Sequence, residues 1–286
     1  MNHIYIHGGG GITLLIEVLL LESQSMWNVP LLVILAGISV VYSLLLHRFT
    51  DIKLYHRPPL FFFLGMGLLY FVLGSPLTLI SHLSFSLHMI QMSILYFVAP
   101  PILLRGIPGP LFQMILKNSP YPKLSKVFFS PRLALYVFAA LFLMYHLPVV
   151  LNTFSKNPFI HNGYISFLLL LSFGMWWPIV SPDPNQSLSK GEKKRFAVLS
   201  GLLLMPACLL FVFSAVTDGI TNPFLTRLTA HLCLPSQDAS LHILPPLFNT
   251  KYDQAMAGFL MLGIHKMSLM VTSRIAKKES KTLGDI

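Results

Sequence analysis

Seven apolar stretches, each near the length of a bilayer-spanning helix, run through this chain, and short segments rich in Lys and Arg separate them. They are roughly Val29–Leu46, Pro59–Ile80, His82–Leu104, Leu133–Leu151, Gly163–Val180, Ala197–Thr217 and Gln254–Ser273. A helix needs about 20 apolar residues to cross the hydrocarbon core. In lipid every backbone N–H and C=O must be paired within the protein, so stretches of this kind are helices. The pattern predicts an all-α polytopic membrane protein with seven transmembrane helices.

Composition agrees. Only 10% of the residues are charged and 54% are hydrophobic, whereas soluble domains carry about 25% charged residues. So few charges cannot cover the surface of a soluble protein, and so much apolar surface excludes disorder. The 20 Lys and Arg against 10 Asp and Glu leave a net charge of +10. Those cations lie in clusters between apolar runs with no nucleic-acid motif beside them. The expected partner is the lipid bilayer, with no nucleic acid.

The clusters fix an orientation. Arg48, Lys53 and Arg57 follow the first stretch, and Arg105, Lys117, Lys123, Lys126 and Arg132 follow the third. Lys190, Lys193, Lys194 and Arg195 follow the fifth, and Arg274, Lys277, Lys278 and Lys281 follow the seventh. The alternate loops hold only Lys156, Arg227 and Lys251. The positive-inside rule then puts the N-terminus outside and the C-terminus inside, as an odd helix count requires. Trp27 suits the outer interface and Trp176-Trp177 the inner one.

Three regions follow. Residues 1–28 form an external N-terminal segment. Its apolar run Ile12–Leu21 is interrupted by Glu17 and too short to span, so it reads as interfacial, and no basic leader region is expected because no Lys or Arg precedes Trp27. Residues 29–273 form one membrane domain with an external loop over 218–252. Residues 274–286 form a basic cytoplasmic tail. The long loop has two readings, a binding element or a lid over the bundle.

Prolines punctuate the spans. Pro100-Pro101 remove two backbone donors, so the third helix should kink or end there. Gly74-Ser75-Pro76 offers a similar stop in the second.

None of the ten acidic residues lies deep inside a stretch, which argues against proton-coupled transport. No His-Glu metal motif or buried Asp pair supports membrane proteolysis. What the interior offers is His, Met and Cys. His88 and His146 each sit about a turn or more inside the outer end of a helix, and His161 and Asp253 lie at outer helix starts. His88, Gln91 and Met92 share a helix face by i+3 and i+4 spacing. Cys208 falls in the outer half of the sixth stretch. Imidazole, thioether and thiolate are soft ligands that suit copper, especially Cu(I). The candidate metal residues are therefore His88, His146, His161, Met92, Cys208 and Asp253, with the carboxylate orienting a histidine or balancing charge. Interhelical hydrogen bonds are the competing reading of the same polar groups. Lys266 is close enough to the inner end to snorkel to the interface. Cys208 and Cys233 both face the oxidising side, so a disulfide and two free thiols both remain open.

These residues resemble a known family. His88-Met89-Ile90-Gln91, Val98-Ala99-Pro100-Pro101 and Gly106-Ile107-Pro108 are similar to the HMxQ, APP and GxP pattern of the CtaG family of caa-type cytochrome c oxidase assembly factors. Tyr145-His146-Leu147-Pro148, then His161 with Met175-Trp176-Trp177-Pro178, resemble its aromatic-His-x-Pro and WWP elements. Pro206-Ala207-Cys208, Leu232-Cys233-Leu234-Pro235 and Phe248-Asn249 resemble its Gram-positive branch, and Asp253-Gln254 with Ala257-Gly258 and Met261 resembles DQxxAGxxM. The order and spacing of the motifs carry the likeness, from about the second helix to the end of the seventh. Met92 stands where many members have a second His, and Tyr164-Ile165 where many have an acidic-His pair.

The resemblance implies a non-enzymatic assembly factor in the bacterial plasma membrane. It would partner cytochrome c oxidase subunits and support maturation of the copper centres. Two alternatives share the residues: a structural interaction protein without a metal site, and a passive channel or transporter with Pro100-Pro101 marking a broken helix.

Overall fold

A computed structural model describes residues 27–81, 84–117, 130–181, 188–217 and 251–284. Every element among them is helical. The expected N-terminal segment, most of the 218–252 loop and Cys233 lie outside the described residues.

Helix α1 (Val29–Phe49) starts at Asn28, whose side-chain oxygen accepts the Leu31 N–H at 3.0 Å. Helix α2 (Arg57–Gly74) starts on Pro58-Pro59, which supply fixed φ where no helical donor is needed. It stops at Ser75-Pro76, as the sequence predicts, and a short α3 (Leu77–Ser81) follows. The next span, Phe85–Arg105, has three parts: α4 (Phe85–Ser93), a π turn (Ile94–Val98) and α5 (Ala99–Arg105). Then come α6 (Gly109–Lys117), α7 (Pro131–Tyr145), α8 (Pro148–Lys156), α9 (Pro158–Val180), α10 (Lys190–Val216) and α11 (Lys251–Gly284). Ser189 and Glu192 close a capping box on α10.

Six of the described helices are long and apolar enough to cross a membrane: α1, α2, Phe85–Arg105, α9, and the apolar portions of α10 and α11. The expected fourth span, Leu133–Leu151, is instead divided. Helix α7 is shorter and ends at Tyr145, and Leu147 is extended (φ −73°, ψ 135°) before Pro148 opens α8. Proline disfavours helical geometry in the residue before it, which accounts for the break.

The Phe85–Arg105 span is the most buried of the six and α1 the least. Helices α2, α9 and α11 surround the central span; α7 packs on α9 and α10, and α10 on α11. Leu95, Tyr96, Phe97, Phe138, Phe142 and Trp176 form the aromatic and aliphatic centre. The outward faces stay apolar, as at Val33, Ile34 and Leu44 of α1, which suits contact with lipid tails.

The proline pair does not break the central helix. Pro100 and Pro101 cannot donate to the carbonyls of Tyr96 and Phe97, four residues earlier. The chain inserts a π turn there, with the Ala99 N–H reaching back to the Ile94 carbonyl. Neighbouring helices take both orphaned carbonyls. Trp176 Nε1 donates to Tyr96 O at 3.0 Å, and Ser268 Oγ donates to Phe97 O. Pro76 orphans the Val72 carbonyl in the same way, and Gln91 Nε2 donates to it at 2.8 Å. Trp176 and Trp177 are therefore core residues, 0% and 4% exposed, and not the interfacial anchors that sequence suggests.

Close backbone approach completes the packing. A Cβ on Gly106 would lie 2.6 Å from Phe62 Cα, and the Tyr42 hydroxyl donates to Gly106 O at 2.7 Å. A Cβ on Gly258 would lie 2.6 Å from the Cys208 carbonyl oxygen, so α10 and α11 meet at glycine.

Candidate functional site

One end of the bundle gathers the starts of α4, α9 and α11 and the end of α7. Histidines reach it because those helices begin or end on them. His88 lies in the first turn of α4, His161 in the first turn of α9, and His146 caps α7.

Tyr145 joins two of these. Its hydroxyl oxygen is 3.2 Å from His88 Nε2 and 2.9 Å from His161 Nε2. The phenol ring stacks on both imidazoles, with interplanar angles of 21° and 10°. A phenol has one proton to donate. With neutral imidazoles, Tyr145 donates to one histidine and accepts from the other, so the two Nε2 atoms carry opposite protonation states. The sequence holds Tyr145 in its aromatic-His motif, but nothing in the spacing shows that it joins His88, 57 positions before it, to His161, 16 positions after it.

His146 behaves differently. Its ring is fully buried, and Nδ1 donates to Phe142 O at 2.6 Å. That bond fixes the tautomer and leaves Nε2 with a lone pair. Nε2 is buried and has no hydrogen-bond partner. The ring stands edge-on to Phe142, Tyr145 and Phe211. A histidine held through Nδ1–H by a backbone carbonyl, with Nε2 bare, is the usual state of a metal ligand.

Asp253 sits at the N-terminus of α4. Its carboxylate accepts from Ser84 Oγ at 2.8 Å, from the Phe85 N–H at 2.8 Å and from the Ser86 N–H at 3.1 Å, while Ser86 Oγ donates to the Asp253 carbonyl at 3.0 Å. It thus caps the central helix from α11, satisfying donors that no helical turn can reach. Beside it Ser214 Oγ donates to Gln254 Oε1 at 3.1 Å, tying α10 to α11.

Met92 and Cys208 are buried, at 2% and 3% exposure. Gln91, expected on the His88 face, turns to α2 while His88 turns to α7. Cys208 backs onto Gly258, and Phe211, one turn on, lies between Phe85 and His146. Among the described residues no three His, Cys, Asp or Glu side chains converge into a metal-holding group. Lys266 is exposed, in keeping with a snorkelling cation. His265 is 1% exposed, neither ring nitrogen has a hydrogen-bond partner, and it packs against Phe97 with centroids 4.7 Å apart.

An apolar multi-span helical bundle with imidazoles and a phenol collected at one end is that of a polytopic membrane protein. The chain belongs to the cytochrome c oxidase caa3 assembly factor family (Caa3_CtaG), whose family model matches residues 40–275. Comparisons with curated proteins and with solved structures returned no match.

Proposed function

We propose that this chain assists cytochrome c oxidase maturation by holding copper, as cargo, at the polar end of its bundle. It would sit in the bacterial plasma membrane with seven spans, α7 and α8 together completing the fourth, N-terminus outside and C-terminus inside. No covalent reaction is required of it. One observation carries the reading: His146 presents a bare, buried Nε2 beside the tyrosine that holds His88 and His161. His88, His146 and His161 supply imidazoles, and Met92 and Cys208 the soft donors that favour Cu(I). Asp253 fixes the α4 terminus on which His88 rides. The test is copper stoichiometry of the purified full-length protein after loading with Cu(I). Joint replacement of His88 and His146 should remove most bound copper from protein that remains folded; unchanged stoichiometry overturns the site.

A second reading rests on the Asp253 cap and the Ser214–Gln254 bond, which lock helices with no metal. Here the chain holds an oxidase subunit during assembly. A deletion strain whose oxidase stays inactive under excess copper supports this reading, and rescue by copper supports the first.

A further inference from the structure

His265 lies within the apolar portion of α11, Lys251–Ile275, well away from both of its ends. It is 1% exposed, and neither ring nitrogen has a hydrogen-bond partner. Buried polar side chains are normally paired, so an imidazole with both nitrogens bare points to an occupant. Phe97 and Trp176 wall the ring, with centroids 4.7 and 6.5 Å from it. Met261 lies four residues earlier on the same helix face and is also 1% exposed. Residues so spaced have Cβ atoms about 5–6 Å apart. Helical side chains lean toward the N-terminus, so the imidazole leans over the turn that carries Met261.

We propose that His265 and Met261 hold a soft monovalent metal ion, Cu(I), at a second site inside the bundle. Imidazole and thioether both suit Cu(I), and the three rotatable bonds of methionine let its sulfur adjust to the ring. Charge selects the oxidation state. None of the ten acidic residues lies deep inside a span, so a divalent ion on these neutral donors would carry twice the uncompensated charge into the core. The position is also one step inward from the polar end. Two phenylalanine rings connect His146 to His265, with centroid steps of 4.5 Å from His146 to Phe142, 6.0 Å to Phe97 and 4.7 Å to His265. With two protein donors against three or more at the polar end, the inner site fills second. It shares no residue with the polar end and survives the failure of that reading.

The test is a Cu(I) titration of the full-length protein in detergent against a chromophoric Cu(I) chelator, carried past the first equivalent. Wild-type protein is expected to take a second, weaker equivalent. Met261→Leu removes the sulfur and keeps the volume, so the fold should tolerate it. Met261→Leu and His265→Leu should each weaken that equivalent at least about tenfold, as the loss of one of two donors requires. Met267→Leu removes a thioether from the outward face of the same helix, where Met267 is 61% exposed, and should leave binding unchanged. The joint His88 and His146 variant should lose the first equivalent and keep the second. Failure of the polar-end reading would leave a single equivalent that still depends on His265 and Met261. Full-strength binding in either Met261→Leu or His265→Leu overturns the proposal, as does a wild-type protein that takes no such equivalent, the result a buried water at His265 would give. Equal weakening in Met267→Leu also overturns it, because surface thioethers would then be the ligands.

Discussion

The indole N–H of Trp176 meets the carbonyl of Tyr96, which is the carbonyl that Pro100 leaves without its helical donor. The bond crosses from α9 to the central span and joins the WWP and APP motifs. Two more pairs follow this logic: Ser268 with Phe97 below Pro101, and Gln91 with Val72 below Pro76. In lipid an orphaned carbonyl has no water to turn to, so each proline needs a donor from another helix.

Trp176→Phe deletes the donor and leaves a gap where the larger indole was buried. It should destabilise the protein by about 1–3 kcal/mol for the buried acceptor left unpaired, and the gap adds to that cost. Pro100→Ala restores an N–H near Tyr96 O, so the double variant should recover part of that loss. Additive losses in a double-mutant cycle on detergent unfolding would show the two residues to be independent.

Tyr145→Phe removes the hydroxyl shared by His88 and His161. The expected loss is about 1–2 kcal/mol of stability, from two neutral hydrogen bonds. Bound Cu(I) per folded molecule should be retained, because the imidazoles keep their nitrogens. Copper lost in this variant would make the phenol itself a ligand. Stability by thermal unfolding and copper by elemental analysis read the two effects apart.

The sequence made the apolar stretches, the early stop of α2 and the histidine-bearing helix ends legible, because hydropathy, proline and helix-end placement are local signals. It overextended the fourth stretch, where Leu147 and Pro148 look apolar while breaking the helix. It put Trp176 at an interface, because a tryptophan in an apolar run carries no mark of the carbonyl it serves. The pairing of His88 and His161 through Tyr145 depends on how α4, α7 and α9 pack, and no one-dimensional spacing encodes that. Asp253 is legible as the carboxylate nearest the membrane domain's polar end. Its hold on Ser84, Phe85 and Ser86 comes from parallel packing of α4 and α11, which composition does not reveal.

Gly258 and Gly263 lie on the same helix and should respond oppositely to alanine. The new Cβ at Gly258 would sit 2.6 Å from the Cys208 carbonyl oxygen, while nothing lies within 4 Å of one at Gly263. Gly258→Ala should cost about 1–3 kcal/mol through overpacking between α10 and α11. Gly263→Ala should gain about 0.5–1 kcal/mol from helix propensity. Similar Tm values for the two variants would mean that the α10–α11 contact is looser than the structure shows.

Asp253→Asn separates a helix cap from a role at the metal. Asparagine keeps one oxygen, so it can still accept from Ser84 Oγ and the Ser86 N–H, but its amide nitrogen cannot accept from the Phe85 N–H. The carboxylate bonds are charge-assisted and stronger than neutral ones. The variant should therefore lose about 1–3 kcal/mol of stability. Asp253→Ala, which leaves all three donors without the carboxylate, should lose more. If Asp253 acts by anchoring α4, the copper bound per folded molecule stays at the wild-type level in Asp253→Asn, which keeps part of the cap. If the carboxylate balances the charge of the metal, copper falls in Asp253→Asn as it does in Asp253→Ala, because both remove the charge. Parallel measurement of unfolding and copper stoichiometry decides between an aspartate that builds the site's scaffold and one that belongs to the site.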